Sequence, residues 1–200
     1  MRPLSLVQGN TPDYLIVGLG NHGERYKNTR QNIGFVITDH FLVKCLVKKI
    51  NHRKLHWAFL NKCLFEGQVV FFAKPQMFME NSGMPVEEIM SEYHIKPSRL
   101  IVIHDDINLK IGSIKATLVD DKCDHRGVKS IVEHIGSTNF LQIRIGVGPN
   151  SDEMTDREHL LSDFSAEELN TIMMKMESLY EFFVYYFHYG FDKAVMLLEN

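Results

Sequence analysis

Three short apolar runs constrain this chain most: Tyr14-Leu15-Ile16-Val17-Gly18-Leu19, Val69-Val70-Phe71-Phe72-Ala73 and Leu100-Ile101-Val102-Ile103. Each is too short for a buried helix, is rich in β-branched or aromatic residues, and gives way to polar or turn-forming residues, so each reads as a buried strand. Helical spacing lies between and after them. Ile33, Ile37, Phe41 and Cys45 recur at four-residue intervals, Val86 to Tyr93 forms a short helix ending before Pro97, and Val128, Ile131, Val132 and Ile135 repeat in register. Lys110 to Leu118 is expected as a further strand, and alternating Phe140 to Val147 as an edge or last strand. The tail from Ala166 to Tyr189 is expected as one helix opened by a Ser165-x-x-Glu168 capping pattern. Alternating strands and helices predict a single three-layer α/β domain, with a mixed, mostly parallel sheet covered by helices on both faces. Ligands of such sheets sit beyond the carboxyl ends of the strands. That rule selects Gly20-Asn21-His22, Met77 to Asn81 and His104-Asp105-Asp106.

A chain of 200 residues with 44% apolar content can be served by one core, here expected over 13–200 after a 1–12 N-terminal extension. A net charge of −3 excludes bulk attraction to nucleic acid, so an RNA partner would need a local basic patch. Lys48, Lys49, Arg53 and Lys54 read as a solvated helix face. The three cysteines lack C-x-x-C spacing and are expected as free thiols in a reducing compartment. Neither a signal-peptide run nor a membrane-length apolar segment appears. The expectation is a soluble cytoplasmic protein, or an organellar one if a targeting peptide has been removed.

Gly18-x-Gly20-x-x-Gly23 has the letters of a dinucleotide loop, but no helix pattern opens at the third glycine, so it reads as a tight turn. The ten histidines show no H-x-x-x-H or H-E-x-x-H pairing, and no serine sits in a G-x-S-x-G elbow. Neither a metal nor a cofactor is expected. His104 reads as a core residue and Asp106 as a turn cap. Strand alternation should send only one of Asp105 and Asp106 into a cleft.

Several motifs then fall in one order: Gly18-Leu19-Gly20-Asn21, Tyr26-x-x-Thr29-Arg30, Met79 before Ser82-Gly83, Ile103-His104-Asp105-Asp106, Phe140-x-x-Ile143-Arg144-Ile145-Gly146, and Leu160-Leu161-x-x-Phe164-Ser165. Together they resemble the bacterial-type peptidyl-tRNA hydrolase family from about Asp13 onward. The resemblance implies cleavage of the ester joining a peptide to the 3′ end of tRNA, without metal or cofactor. In that family a histidine of a Thr-Arg-His-Asn segment is the general base, an aspartate after the third strand orients it, and three asparagines hold substrate and oxyanion.

Carried over by position, Asn21 and Asp105 match, whereas the base falls on Gln31 and two asparagines fall on Glu80 and Arg126. An amide cannot take a proton near neutral pH, and a lost positioned base typically forfeits ~10²–10⁴ in rate. Glu80 repels a developing oxyanion, while Arg126 can stabilise negative charge or bind phosphate. His22 stands where the family has proline and Asn81 follows Glu80, so a base and an amide are expected to have been either displaced or lost. A displaced base requires His22 or His125 within ~3 Å of Asp105. Arg144 keeps a position the family uses near tRNA phosphates, and Tyr26 joins the substrate-binding set. Asp120, Asp121 and Asp124, where the family is glycine-rich, oppose a phosphate backbone. Three readings follow: weakened peptidyl-tRNA hydrolysis using Asp105, Asn21 and Gln31 or His22; tRNA or RNA binding without catalysis; or a protein-docking scaffold.

Overall fold

The computed structural model describes residues 11–45, 54–55, 57–118, 124–149 and 154–198. The N-terminal extension, the Lys48, Lys49 and Arg53 cluster and the Asp120-Asp121 stretch lie outside the described residues, apart from Thr11 and Pro12.

In chain order the elements are β1 Tyr14–Gly18, α1 Ile33–Lys44, β2 Lys54–Leu55, β3 Ala58–Phe65, β4 Gln68–Pro75 and α2 Gly83–Glu92. They continue as β5 Leu100–Lys110, β6 Ile114–Leu118, α3 Arg126–Ile135 and β7 Leu141–Gly148, followed by α4 Asp156–Leu161, α5 Ala166–Met173, α6 Met176–Tyr189 and α7 Phe191–Val195. One seven-stranded sheet runs β2-β3-β4-β1-β5-β7-β6. Its centre, β4-β1-β5-β7, is parallel, and β2, β3 and β6 add antiparallel pairs at the two sides.

The side-chain alternation of β1 divides the core. Ile16 faces a layer built with Phe41 of α1 and Leu179, Phe182 and Phe183 of α6. Leu15 and Val17 face the opposite layer, with Val86 and Ile89 of α2 and Val128 and Ile131 of α3. At roughly 25 cal/mol per Å² of apolar surface, each such buried side chain contributes about 1.5–3 kcal/mol, so two filled layers rather than any polar contact hold the domain. The single α/β domain read from the sequence is what the structure has.

Four local expectations are corrected. The run Phe140 to Val147 is not an edge, because β6 pairs outside β7. β3 was not anticipated; its apolar residues are interleaved with Asn61, Lys62 and Cys63, which hides a strand. The C-terminal helix is divided at Met174 and Lys175, which keep helix-like backbone angles and carry no glycine or proline to announce the break. Lastly, His104-Asp105-Asp106 lies within β5 rather than after it: β7 continues the ladder through Asp106, while β1 stops pairing at Ile103.

The glycine that ends β1 serves packing. A Cβ on Gly18 would lie 2.1 Å from Thr38 Oγ1 and 2.3 Å from the Gly34 carbonyl oxygen, so α1 rests directly on the strand end. No helix of the described residues is long and apolar enough to cross a membrane.

Candidate active site

The loop between β1 and α1 reaches the site as two single 3-10 turns, Glu24–Tyr26 and Arg30–Asn32. It is pinned to the segment between α4 and α5. Arg30 N–H donates to the Ser162 carbonyl at 3.1 Å, and Phe164 N–H to the Asn28 carbonyl at 3.2 Å. Arg30 Nη2 alone spans both carboxylate oxygens of Glu168 at 2.9 Å, Nε donates to Ser162 Oγ at 3.2 Å, and the guanidinium lies over the Phe164 ring. Contacts to two partners from one planar group fix geometry as well as charge.

Asn21 is held on every side. Its N–H donates to Asn32 Oδ1 at 2.8 Å, and Asn32 Nδ2 returns a bond to the Asn21 carbonyl at 3.0 Å. Asn21 Oδ1 accepts the Met79 N–H at 2.9 Å, and Asn21 Nδ2 donates to Gln31 Oε1 at 2.9 Å. Two of the strand-end loops are thereby joined through one side chain, and one Asn21 amide hydrogen remains for a ligand. Because Gln31 uses its oxygen on Asn21, its NH₂ is the end left for the cleft.

On β5, Asp105 Oδ1 lies 3.1 Å from His125 Nε2, and His125 Nδ1 accepts the Val128 N–H at 3.3 Å as the N-cap of α3. A ring whose Nδ1 accepts must carry its proton on Nε2, so it donates to Asp105. Asp105 Oδ2 has no hydrogen-bond partner among the described residues and belongs to a carboxylate lining the cleft. His104, 1% exposed, stacks beside His125 at 4.5 Å and contacts the Asp105 carbonyl through Nδ1 at 2.9 Å. Burial, and then the neighbouring His125 ring, lower its pKa to about 4, so it is neutral at physiological pH. That agrees with the core reading of His104.

The cleft has two connected parts sharing Gln31, Met79, Arg126 and Leu160. One, of about 400 Å³, contains Asp105, Asp106, His125 and Arg144. The other, of about 280 Å³, contains Asn21, Tyr26, Glu80 and Arg157. Both carboxylates of β5 border the first part, contrary to simple alternation; the β5–β7 register shifts immediately after Asp106. Asp106 lies inside β5 and caps no turn there, contrary to expectation; it accepts the Asn108 N–H at 2.9 Å and holds Arg144 at 2.6 and 2.7 Å.

His22 and Asn81 lie elsewhere. Both line a separate aromatic groove with Trp57, Phe59 and Phe78, where exposed His22 packs on Phe78 at 4.9 Å. Neither borders the part of the cleft that contains Asp105. Glu80, Arg126 and Tyr26 do border the cleft beside Asn21 and Gln31. Sequence reasoning gave no role to Asn32, Arg157 or Leu160. The signal for the last two was present in Thr155-x-x-Glu158, a complete capping box that opens α4. His159 then ties α4 to the sheet by donating to the Val147 carbonyl at 2.9 Å.

The sequence profile of the family described as Peptidyl-tRNA hydrolase matches residues 15–200. The peptidyl-tRNA hydrolase of Aquifex aeolicus (strain VF5) is 39% identical over 158 residues, spanning 79% of this chain and 81% of that protein. The peptidyl-tRNA hydrolase of Persephonella marina (strain DSM 14350 / EX-H1) is 31% identical, across 92% of this chain and 96% of that protein. The crystal structure of peptidyl-tRNA hydrolase from Acinetobacter baumannii superposes with a TM-score of 0.83 at 28% identity, covering 95% of each chain.

Proposed function

The chain belongs to the peptidyl-tRNA hydrolase family, and we propose that it hydrolyses the peptide–tRNA ester slowly, with the Asp105 carboxylate accepting the water proton in place of an imidazole. The observation that carries this reading is that Asp105, whose Oδ2 has no partner among the described residues, lines the same cleft as Gln31, while the ring bound to Asp105 has both nitrogens occupied.

In this mechanism Gln31 NH₂ holds the water oxygen and Asp105 Oδ2 accepts one water hydrogen. The water oxygen attacks the ester carbonyl carbon. Negative charge on the carbonyl oxygen is met by the free Asn21 amide hydrogen and the Arg126 guanidinium. The acyl carbon–oxygen bond to the ribose then breaks, and the proton taken by Asp105 passes to the departing 3′ oxygen. The products are a peptide carboxylic acid and tRNA with a free hydroxyl. A carboxylate is a weaker base than an imidazole by roughly 2–3 pK units, so the chemical step is slow relative to a histidine-bearing site.

A second reading, tRNA binding without hydrolysis, is favoured by Glu80 beside Asn21, where its carboxylate opposes a developing oxyanion, with Arg126 left to hold a phosphate. The two separate when release of tRNA from an N-blocked aminoacyl-tRNA is measured beside Asp105→Ala, with binding followed in parallel. Turnover lost in the variant supports the hydrolase; binding without turnover in the native chain supports the binder.

A further inference from the structure

The connected cleft is electrically polarised along its length. At one end stand Asp105, Asp106, Asp124 and Asp156, with Arg144 committed to Asp106 and Lys129 to Asp124. At the other end Arg25, Arg126 and Arg157 face one carboxylate among the described residues, Glu80. These three arginines come from three separate places: the 3-10 turn after β1, the first residue of α3, and the first turn of α4. Arg126 and Arg157 are exposed and make no ion pair or hydrogen bond among the described residues; Arg25 lies over the Tyr26 ring at 4.6 Å and donates to its hydroxyl. Convergence of three arginines on about 280 Å³ of space, with one carboxylate among the described residues for counter-charge, runs against the −3 charge of the whole chain.

From this we infer, resting on the hydrolase reading above, that the Arg25–Arg126–Arg157 end is an anion subsite that selects substrates carrying a phosphate or carboxylate close to the scissile ester. Guanidinium forks fit both groups in a bidentate manner, and Arg126 belongs to both parts of the cleft, so a bound anion lies next to the Asn21–Gln31 pair. The acidic end opposes an anion there, which fixes the direction in which a substrate with one charged side can lie.

Non-hydrolysable analogues test this without turnover. The neutral member is N-acetylglutamine amide-linked to 3′-amino-3′-deoxyadenosine. One arm replaces glutamine by glutamate, placing a carboxylate on the acyl side. The other adds a cytidylyl group through the 5′ oxygen, placing a phosphodiester on the nucleotide side. Calorimetry should show one charged analogue binding about ten-fold tighter than the neutral one, the arm that gains naming the source of the anion. The ratio should fall toward one in the Arg126→Asn/Arg157→Ala double variant, and a substantial part should survive in Arg126→Lys/Arg157→Lys. No advantage for either charged analogue, no measurable binding of them, or an advantage that survives the first double variant overturns the inference. Asp105-dependent turnover without charge preference would end this inference and leave the hydrolase reading standing.

Discussion

Asp105 and His125 form a closed pair: Nε2 of the ring donates to Oδ1 across 3.1 Å, while Nδ1 receives the Val128 N–H that opens α3. The contact has the spacing of a catalytic dyad and the wiring of a helix cap. Using this imidazole as a base would free its lone pair only by breaking the cap, so we assign His125 to positioning Asp105.

That assignment separates two substitutions at one site. His125→Ala removes the cap and should cost about 1–2 kcal/mol in urea denaturation. His125→Asn restores a good N-cap residue and should recover most of that stability, with turnover within roughly ten-fold of the native chain. A His125→Asn enzyme as inactive as Asp105→Ala would show that the imidazole is itself the base.

His104 should make the fold acid-sensitive. The groups facing it are His125, Asp105 and Gln142. Its folded pKa, about 4, lies below the unfolded value near 6.5, so between these pH values the unfolded chain binds a proton that the native chain refuses. Stability from this residue is therefore full above pH 6.5 and declines as pH falls to 4, by on the order of 3 kcal/mol. Denaturation curves at pH 7 and pH 4.5 should differ less in His104→Asn than in the native protein; an unchanged difference would contradict the buried neutral ring.

Much of this was legible in the sequence, and the misses have physical causes. Unbroken apolar runs can hardly be anything but buried strands, so β1, β4 and β5 and the cleft at their ends were readable. The strand β3 was not, because polar Asn61 and Lys62, on opposite faces of the strand, interrupt its apolar residues. His22 and Asn81 looked like displaced chemistry because sequence adjacency says nothing about direction; the loops aim them at Phe78 and Trp57. The dual bonding of His125 was hidden for another reason, since histidine is not among the usual N-cap residues.

Gly34 is a position where the backbone leaves no room for a side chain. A Cβ there would lie 2.4 Å from the Leu19 carbonyl oxygen and 2.5 Å from that of Ile103, both backbone atoms. Gly34→Ala should cost at least about 3 kcal/mol, because α1 must move off β1 and β5 and carry Asn32 and Gln31 with it. A thermal midpoint unchanged from the native protein would contradict the close approach.

Arg30 holds the β1–α1 loop to α5 through both oxygens of Glu168. Arg30→Lys keeps the charge but loses the Nε bond to Ser162 Oγ, and should lose roughly 1–2 kcal/mol of stability and loosen the Gln31 segment. Hydrogen exchange at residues 29–32 provides the readout; protection equal to that of the native chain would show that the pair does not anchor the loop.

Position 31 tests the central claim most directly. Release of tRNA from an N-blocked aminoacyl-tRNA, measured under single-turnover conditions, should be faster in Gln31→His than in the native chain by about 10²–10⁴, because an imidazole beside Asp105 restores a base of suitable strength. A rate equal to or below that of the native chain, in a variant that is folded and binds tRNA equally well, would contradict the account by showing that the base was never missing or that chemistry has left this cleft.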